Sequence, residues 1–104
     1  MDASWTHELM RVRDVVRRAA PGAALDPRVV AELSGVPMGQ VIALLQFLAR
    51  NREGRLELRV VDGRGIEVAS FRSLPEVPAV VTDEFGTRIA VEPENVELIF
   101  RVSR

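Results

Sequence analysis

The sequence predicts a small α+β protein in which three helices precede a β-hairpin and three further short strands. Before residue 51, apolar residues recur every three or four positions in three segments, which is the spacing of amphipathic helices. After residue 55, apolar and polar residues alternate in short runs separated by glycine, proline and acidic residues, which is typical of antiparallel strands. At 104 residues, the chain fits one single domain, residues 1–104.

The first helix is predicted to begin at Ser4 or Thr6, because either hydroxyl can cap free backbone N–H groups. It is expected to end before Pro21-Gly22, which cannot continue a helix. One apolar stripe should face the core, with Trp5 as its anchor. The stripe consists of Trp5, Leu9, Val12, Val16 and Ala19.

The second helix has clear start and stop signals. Asp26 is the expected N-cap, Pro27 suits the first helical position, and Gly35 can adopt the left-handed conformation that ends a helix. Three apolar side chains are expected to form its buried face. They are Val29, Val30 and Leu33.

The third helix is predicted from Pro37 to Arg50 or Asn51, and a hairpin follows it. The hairpin strands should be Leu56–Val61 and Ile66–Phe71, because the four residues 62–65 between them contain two glycines suited to a tight turn. The buried face of the third helix is predicted to consist of Val41, Leu44, Leu45 and Leu48.

Two prolines make residues 73–78 an extended connector between a first part, residues 1–72, and a β tail, residues 79–104. The tail contains three strand signals separated by turn-like residues, which favours a short three-stranded antiparallel meander. Its last strand is apolar on both faces around Ile99, so it should be buried on two sides. The tail packs on the helices, extends the hairpin sheet, or pairs with a second copy at a dimer interface. The three strands are predicted at 79–82, 87–91 and 96–102.

The stretch from Pro27 to Gln46, PRVVAELSGVPMGQVIALLQ, resembles the helix-turn-helix motif. A small residue at the helix contact and a glycine in a three-residue turn are what two crossing helices need. With the hairpin in the wing position, residues 5–72 resemble the winged helix-turn-helix domains of bacterial regulators. The matching positions are Ala31, Gly35, Val36, Val41 and Leu44.

This resemblance implies a DNA-binding transcription regulator whose third helix enters the major groove. The positions that would face DNA are Pro37, Met38, Gly39, Gln40, Ile42, Ala43 and Gln46, and none of them is basic. Two glutamines would read bases, and arginines elsewhere would contact phosphates. The candidate nucleic-acid-binding residues are Arg28, Gln40, Gln46, Arg50, Arg52 and Arg64.

An alternative function is a protein-interaction or dimerisation module that uses the same scaffold without binding DNA. An exposed apolar helix face usually marks a surface for a partner or a second copy. The candidate partner-binding residues are Met38, Ile42, Ala43 and Phe47.

Enzymatic function is not expected from this sequence. His7 is the only histidine, cysteine is absent, and no hydroxyl has a recognisable base partner. The acidic residues near the turns of the tail match no metal-binding loop. We therefore expect no catalytic residue, no cofactor and no metal.

The charge and hydropathy of the chain indicate a cytoplasmic protein with no membrane partner. No apolar run approaches the length of a bilayer span, and the N-terminus lacks the pattern of a signal peptide. All fourteen basic residues are arginine, and the net charge is −1. Residues 1–55 hold eight arginines against six acids, and residues 56–104 hold six against nine. This asymmetry is too mild to identify a nucleic-acid-binding protein.

Overall fold

The computed structural model describes residues 3–104 and gives an α+β protein with three α-helices and six β-strands. The helices are α1 (Ala3–Arg18), α2 (Pro27–Ser34) and α3 (Met38–Arg50). The strands are β1 (Ala24–Leu25), β2 (Gly54–Val61), β3 (Glu67–Phe71), β4 (Val80–Thr82), β5 (Arg88–Ala90) and β6 (Val96–Val102).

The start of α1 differs from its prediction, whereas its end agrees. The helix begins at Ala3, so Ser4 and Thr6, the two predicted N-caps, both lie inside it. It ends at Arg18, before the proline and glycine that were expected to stop it. Its apolar stripe is buried as predicted at Leu9, Val12 and Val16.

The two ends of α2 are confirmed. The Asp26 carboxylate accepts a hydrogen bond from the Arg28 backbone N–H at 2.8 Å, and Gly35 ends the helix with φ of 71°. The Gly35 N–H donates to the Ala31 carbonyl at 2.9 Å, which satisfies one of the last carbonyls of the helix. After this turn the chain enters α3, whose axis is bent by 106° from that of α2.

The predicted apolar face of α2 is wrong at two of its three residues. Val30 is fully buried, but Val29 is 45% exposed and Leu33 is 70% exposed. The buried face instead consists of Pro27, Val30 and Ser34, which recur at the same three- and four-residue spacing. Burial of Ser34 is tolerated because its hydroxyl accepts a hydrogen bond from a backbone N–H at 3.2 Å.

The buried face of α3 is as predicted, with its four apolar residues almost completely enclosed. Within residues 3–104, no single helix is both long and apolar enough to cross a membrane; α2 and α3 reach that length and composition only as a bent pair.

The strands form a four-stranded sheet in the order β1-β6-β2-β3 and a separate pair, β4-β5. In register, Leu25 pairs with Phe100, Leu58 with Phe71, and Val81 with Ile89. The β2–β3 hairpin is therefore confirmed close to its predicted bounds. Between the hairpin and β4, residues 74–76 form one short 3₁₀ turn within the predicted connector.

The predicted three-stranded meander is wrong, because β6 does not pair with β5. It lies between β1 and β2 in the larger sheet. Ile99 and Phe100 are both buried, and because adjacent residues of a strand point to opposite faces, β6 is covered on two sides as predicted. On one side β1 pairs with β6 at Phe100 and Arg101, and on the other side lies β2.

The chain divides into two compact units, called unit 1 and unit 2 here. Unit 1 comprises Met1–Leu56 with Phe100–Arg104, and unit 2 comprises Glu57–Ile99. The core of unit 1 is built from the three helices and the end of β6, whereas the buried residues of unit 2 lie on β2, β4 and β6. Unit 1 holds ten arginines against six acids and unit 2 holds four against nine, so their formal charges are +4 and −5.

Gly54 is required by the close approach of Phe100. A Cβ at this position would lie 2.3 Å from the Phe100 ring and 2.5 Å from the Arg101 carbonyl oxygen. We predict that Gly54→Ala lowers the free energy of unfolding by about 2 kcal/mol or more, because a backbone atom cannot move aside as a side chain can. Chemical denaturation measures the change.

Gly39→Ala is the matched control, because no atom lies within 4 Å of its missing Cβ. Its free energy of unfolding should stay within about 0.5 kcal/mol of the unaltered protein, since alanine suits a helix at least as well as glycine. Equal destabilisation by both substitutions would contradict the steric explanation.

Candidate functional site

Two of the predicted phosphate contacts are already in local ion pairs. Arg28 Nη2 lies 2.8 Å from Asp26 Oδ2, and Arg64 Nη2 lies 3.4 Å from Asp62 Oδ2. In each pair the arginine is mostly exposed and its acid stands two residues earlier in the chain. Each positive charge is therefore largely balanced where it stands, which weakens its attraction for a phosphate.

The four predicted partner-binding residues do not form one exposed patch. Met38 and Ala43 are exposed, but Ile42 and Phe47 are only partly so. Phe47 packs against the core, and its ring meets Trp5 edge to face, with 5.3 Å between centroids and 86° between planes. Phe47 therefore has a structural role in holding α1 against α3.

The fully exposed side of α3 carries small and polar residues instead. Four exposed residues at a spacing of four, three and four follow one side of the helix: Gly39, Ala43, Gln46 and Arg50. We call them the α3 stripe. The side-chain amide of Gln40 lies against the carboxylate of Glu8 on α1, and it donates to that carboxylate when its nitrogen is assigned to the side facing the acid. Gln40 is thus engaged within the protein, whereas Gln46 is on the exposed stripe.

Glu53, just after α3, is held by two arginines of α1. Its Oε2 lies 3.1 Å from Arg13 Nε and 2.9 Å from Arg13 Nη2. Its other oxygen, Oε1, is buried and lies 3.4 Å from Arg17 Nε, which is beyond good hydrogen-bonding geometry. A single carboxylate is therefore shared by two guanidinium groups that stand one turn apart on α1.

The end of the chain joins this site through Ser103. Its backbone N–H donates to the Glu53 carbonyl at 3.1 Å, and its hydroxyl donates to the Arg52 carbonyl at 2.9 Å. These two bonds place the residues that flank Ser103 beside the loop that follows α3.

The arginines on either side of Ser103 lie against Gly22. Arg101 Nη1 donates to the Gly22 carbonyl at 3.5 Å, and Arg104 Nε lies 3.1 Å from where a Cβ on Gly22 would be. Three separate chain segments thus contribute arginines near the loop that follows α3 and the Gly22 turn. We call these residues the arginine cluster, which consists of Arg13, Arg17, Arg52, Arg101 and Arg104.

Arg52 has an unusual backbone conformation. Its φ is +62°, and among residues 3–104 it is the one non-glycine residue with positive φ. Its N–H donates to Ala49, and the N–H of Glu53 donates to Leu48, at 3.1 and 3.0 Å, which is the pattern of a helix closed by a left-handed residue. Glycine would adopt this conformation at lower cost. The Arg52 side chain is exposed and forms no ion pair with any residue from 3 to 104.

In the arginine cluster, Arg13 and Arg17 share the carboxylate of Glu53 and Arg52 forms no ion pair within residues 3–104, which leaves an excess of positive charge. Such an excess attracts polyanions, because each phosphate that replaces a counterion on a guanidinium releases that ion to the solvent. The sequence indicated Arg52 but missed the other four members, since they come from α1 and from β6 and its end. The four-residue spacing of Arg13 and Arg17 was the one local signal available.

Unit 2 has the opposite electrostatic character. A hydrogen bond with the side chain of Glu94, and then repulsion between the two charges, raise the pKa of Glu92 above its usual value. This unit also carries the larger share of the acids. A polyanion would therefore be attracted to unit 1 and repelled by unit 2.

No protein-family model matches the sequence, and neither a curated protein nor a solved structure shows significant similarity to it. Among residues 3–104, no three histidine, aspartate or glutamate side chains come together as metal ligands.

We predict that Arg52→Gly raises the free energy of unfolding by about 1 kcal/mol, because glycine adopts positive φ without a clash at Cβ. Arg52→Ala is the control, since it removes the guanidinium but keeps the Cβ. The alanine variant should stay within about 0.5 kcal/mol of the unaltered protein in denaturant titrations. A gain of equal size in both variants would show that charge repulsion, not backbone strain, is relieved.

The turn of the β2–β3 hairpin should weaken in acid. Asp62 Oδ1 accepts hydrogen bonds from the Ile66 and Arg64 N–H groups at 3.0 and 2.8 Å, and these bonds lower the pKa of Asp62 below its usual 3.8. Because the folded pKa is the lower one, the stabilisation is complete well above pH 3.8 and is lost as pH falls through the folded value.

Backbone amide NMR shifts of Arg64 and Ile66 report this titration directly. Both should move together as the pH is lowered below the usual range of an aspartate. Asp62→Asn should abolish the shared transition, because its amide oxygen still accepts a hydrogen bond but does not ionise. A midpoint at or above 3.8 in the unaltered protein would contradict the prediction.

Proposed function

We propose that this protein is a non-enzymatic winged helix-turn-helix module that binds double-stranded DNA through unit 1, as transcription regulators do. The observation that carries the proposal is the arginine cluster, in which Arg13 and Arg17 share one carboxylate and Arg52 has no ion-pair partner within residues 3–104. Phosphate neutralisation supplies most of the affinity of proteins for DNA, and it needs such an unbalanced basic surface.

Several features of the helices and of the hairpin that follows them support the helix-turn-helix interpretation. The 106° bend between α2 and α3 lies within the usual range for that motif. Gly35 adopts the left-handed conformation in the turn, and the small residue Ala31 is partly buried against the core. The β2–β3 hairpin follows the second of these helices, as a wing does.

The α3 stripe is suited to close contact with a DNA groove. Gly39 and Ala43 have almost no side chain, so the helix backbone can approach the base edges. Gln46 can form two hydrogen bonds with an adenine, and Arg50 can bind a guanine or a phosphate. Arg50 has no ion-pair partner among the residues that the structure describes. The stripe ends two residues before Arg52, so base contacts and phosphate contacts would adjoin.

These contacts change which residues we propose as phosphate contacts and which we propose as base-reading residues. Arg52 remains a phosphate contact and is joined by the other members of the arginine cluster. Arg28 and Arg64 have less support, because their charges are balanced by Asp26 and Asp62. Gln40 has less support as a base-reading residue than Gln46, since it is engaged by Glu8.

The alternative proposal, a protein-docking face on α3, has less support than DNA binding. Its largest residue, Phe47, packs against Trp5. Apart from Met38, the exposed remainder of α3 is small or polar and lacks the aromatic anchors common in protein interfaces.

Fluorescence polarisation with a mixed-sequence duplex of about 25 base pairs, at about 50 mM salt, tests DNA binding where the electrostatic contribution is strong. We predict that the double variant Arg52→Ala, Arg104→Ala binds at least about tenfold more weakly than the unaltered protein. Its plot of log affinity against log salt should flatten by about two, because two phosphate contacts are lost.

The matched control is Arg72→Ala with Arg88→Ala, which removes the same charge from exposed positions in unit 2. Its affinity should stay within about twofold of the unaltered protein. An equal loss in the two double variants would mean that net charge alone matters, and the site would be wrong. No binding by the unaltered protein at this salt concentration would overturn the proposed function.

A further inference from the structure

Ser103 lies among arginines from two parts of the chain. Arg101 stands two residues before it and Arg104 directly after it. Its hydroxyl donates to the Arg52 carbonyl at 2.9 Å, which brings the loop after α3 to the same place. Arg101 and Ser103 alternate with the buried Val102, so their side chains point to the same side of the chain. A group attached to the Ser103 oxygen would therefore lie beside part of the arginine cluster.

The Ser103 hydroxyl is accessible to another protein. The residue is exposed and directly follows β6, in a segment with no helix or strand of its own. The hydrogen bond from its hydroxyl to the Arg52 carbonyl is itself exposed to solvent. Water can replace that carbonyl as the acceptor, so the Ser103 oxygen is available for reaction.

The charges around Ser103 suit one class of modifying enzyme. Protein kinases select their substrates partly by charge, and a kinase with an acidic substrate groove would bind the arginines on both sides of this serine. Ser70 and Ser73 are also exposed, but they belong to the acid-rich unit 2. Ser103 is therefore the exposed serine that such a kinase would favour over these two.

Two of the arginines beside Ser103 have no acid of their own. Neither Arg52 nor Arg104 forms an ion pair with any residue from 3 to 104. A phosphoserine carries about two negative charges at pH 7 and three strong acceptor oxygens. Guanidinium groups bind such oxygens well, because they offer two parallel N–H donors. A phosphoryl group on Ser103 would thus meet two guanidinium groups that lack a counter-charge.

We propose that Ser103 is a phosphorylation site and that its phosphoryl group binds the guanidinium groups of Arg52 and Arg104. In the reaction, the Ser103 oxygen attacks the γ-phosphorus of a nucleoside triphosphate held by a protein kinase. The bond between that phosphorus and the bridging oxygen breaks, the nucleoside diphosphate leaves, and the hydroxyl proton passes to a base of the kinase. The product has no proton to donate to the Arg52 carbonyl, and repulsion from this carbonyl turns the phosphoryl group toward the guanidinium groups.

The consequence for DNA binding rests on the proposed function. A phosphoryl group on Ser103 would occupy two guanidinium groups that DNA phosphates would otherwise bind. Because Ser103 is exposed, the added group needs no rearrangement of the core. Phosphorylation would therefore weaken DNA binding through charge while unit 1 stays folded.

Phosphorus NMR tests the phosphate contact without DNA. Protein synthesised with phosphoserine at position 103 is titrated around pH 6, near the usual second pKa of this group. Guanidinium groups favour the dianion, so the midpoint should lie at least about half a pH unit below that of phosphoserine at position 73. Arg52→Ala with Arg104→Ala should remove most of this difference. Equal midpoints at the two positions would overturn the phosphate contact.

Fluorescence polarisation with the same mixed-sequence duplex tests the effect on DNA binding. Phosphoserine at position 103 should weaken binding at least about tenfold and flatten the salt dependence by about two, and treatment with a phosphatase should restore both. Phosphoserine at position 73, the control of equal charge, should weaken binding no more than about twofold. Equal weakening at the two positions would overturn the local effect. Failure of the unmodified protein to bind DNA would overturn the proposed function instead, and the NMR titration would still decide the phosphate contact.

Mass spectrometry of the protein from the cells that produce it tests whether the modification occurs. Cleavage after Glu97 gives a peptide that begins at Leu98, and Ser103 is its one hydroxyl residue up to Arg104. Part of this peptide should carry the added mass of one phosphoryl group. If the peptide is unmodified in growing and in resting cells alike, the proposed phosphorylation site is wrong.

Discussion

The insertion of β6 between β1 and β2 is the constraint on which unit 1 depends. Phe100 is completely buried in the helical core, and it reaches that position because Gly54 has no side chain to keep the strand away. The last residues of the chain are thereby fixed beside the loop after α3. Without this contact, the arginine cluster would lose Arg101 and Arg104, and Arg52 would lose its hydrogen bond with Ser103.

The same constraint explains how a nearly neutral chain can hold a strongly basic surface. Because the end of the chain returns to unit 1, Arg101 and Arg104 belong to that unit, whereas the acid-rich segment before them belongs to unit 2. The difference in formal charge between the two units is therefore larger than the difference between the two halves of the sequence. Electrostatic attraction depends on this local charge, so a net charge of −1 is compatible with the proposed binding of a polyanion.

Features set by neighbouring residues were predictable from the sequence, and features set by distant contacts were not. Asp26 and Gly35 fix the ends of α2 through their own local hydrogen bonds and conformation, so both were identified correctly. The buried side of α2 was not, since Val29 and Val30 are adjacent and equally apolar. Likewise, the strand propensity of β6 was evident, but its partners depend on packing in three dimensions. The arginine cluster was missed for the same reason.

Besides its positive charge, the arginine cluster has a second unusual feature, which is the strained backbone conformation of Arg52. Stability alone would favour glycine at a left-handed helix end, because glycine ends α2 in the same conformation at Gly35. A non-glycine residue at such a position often marks a functional site, where strain is tolerated for what the side chain does. Here the side chain is an exposed guanidinium, and its backbone is held by Ser103. The Ser103 hydrogen bond fixes the Arg52 backbone, so in the proposed complex only the side chain would lose conformational freedom on meeting a phosphate.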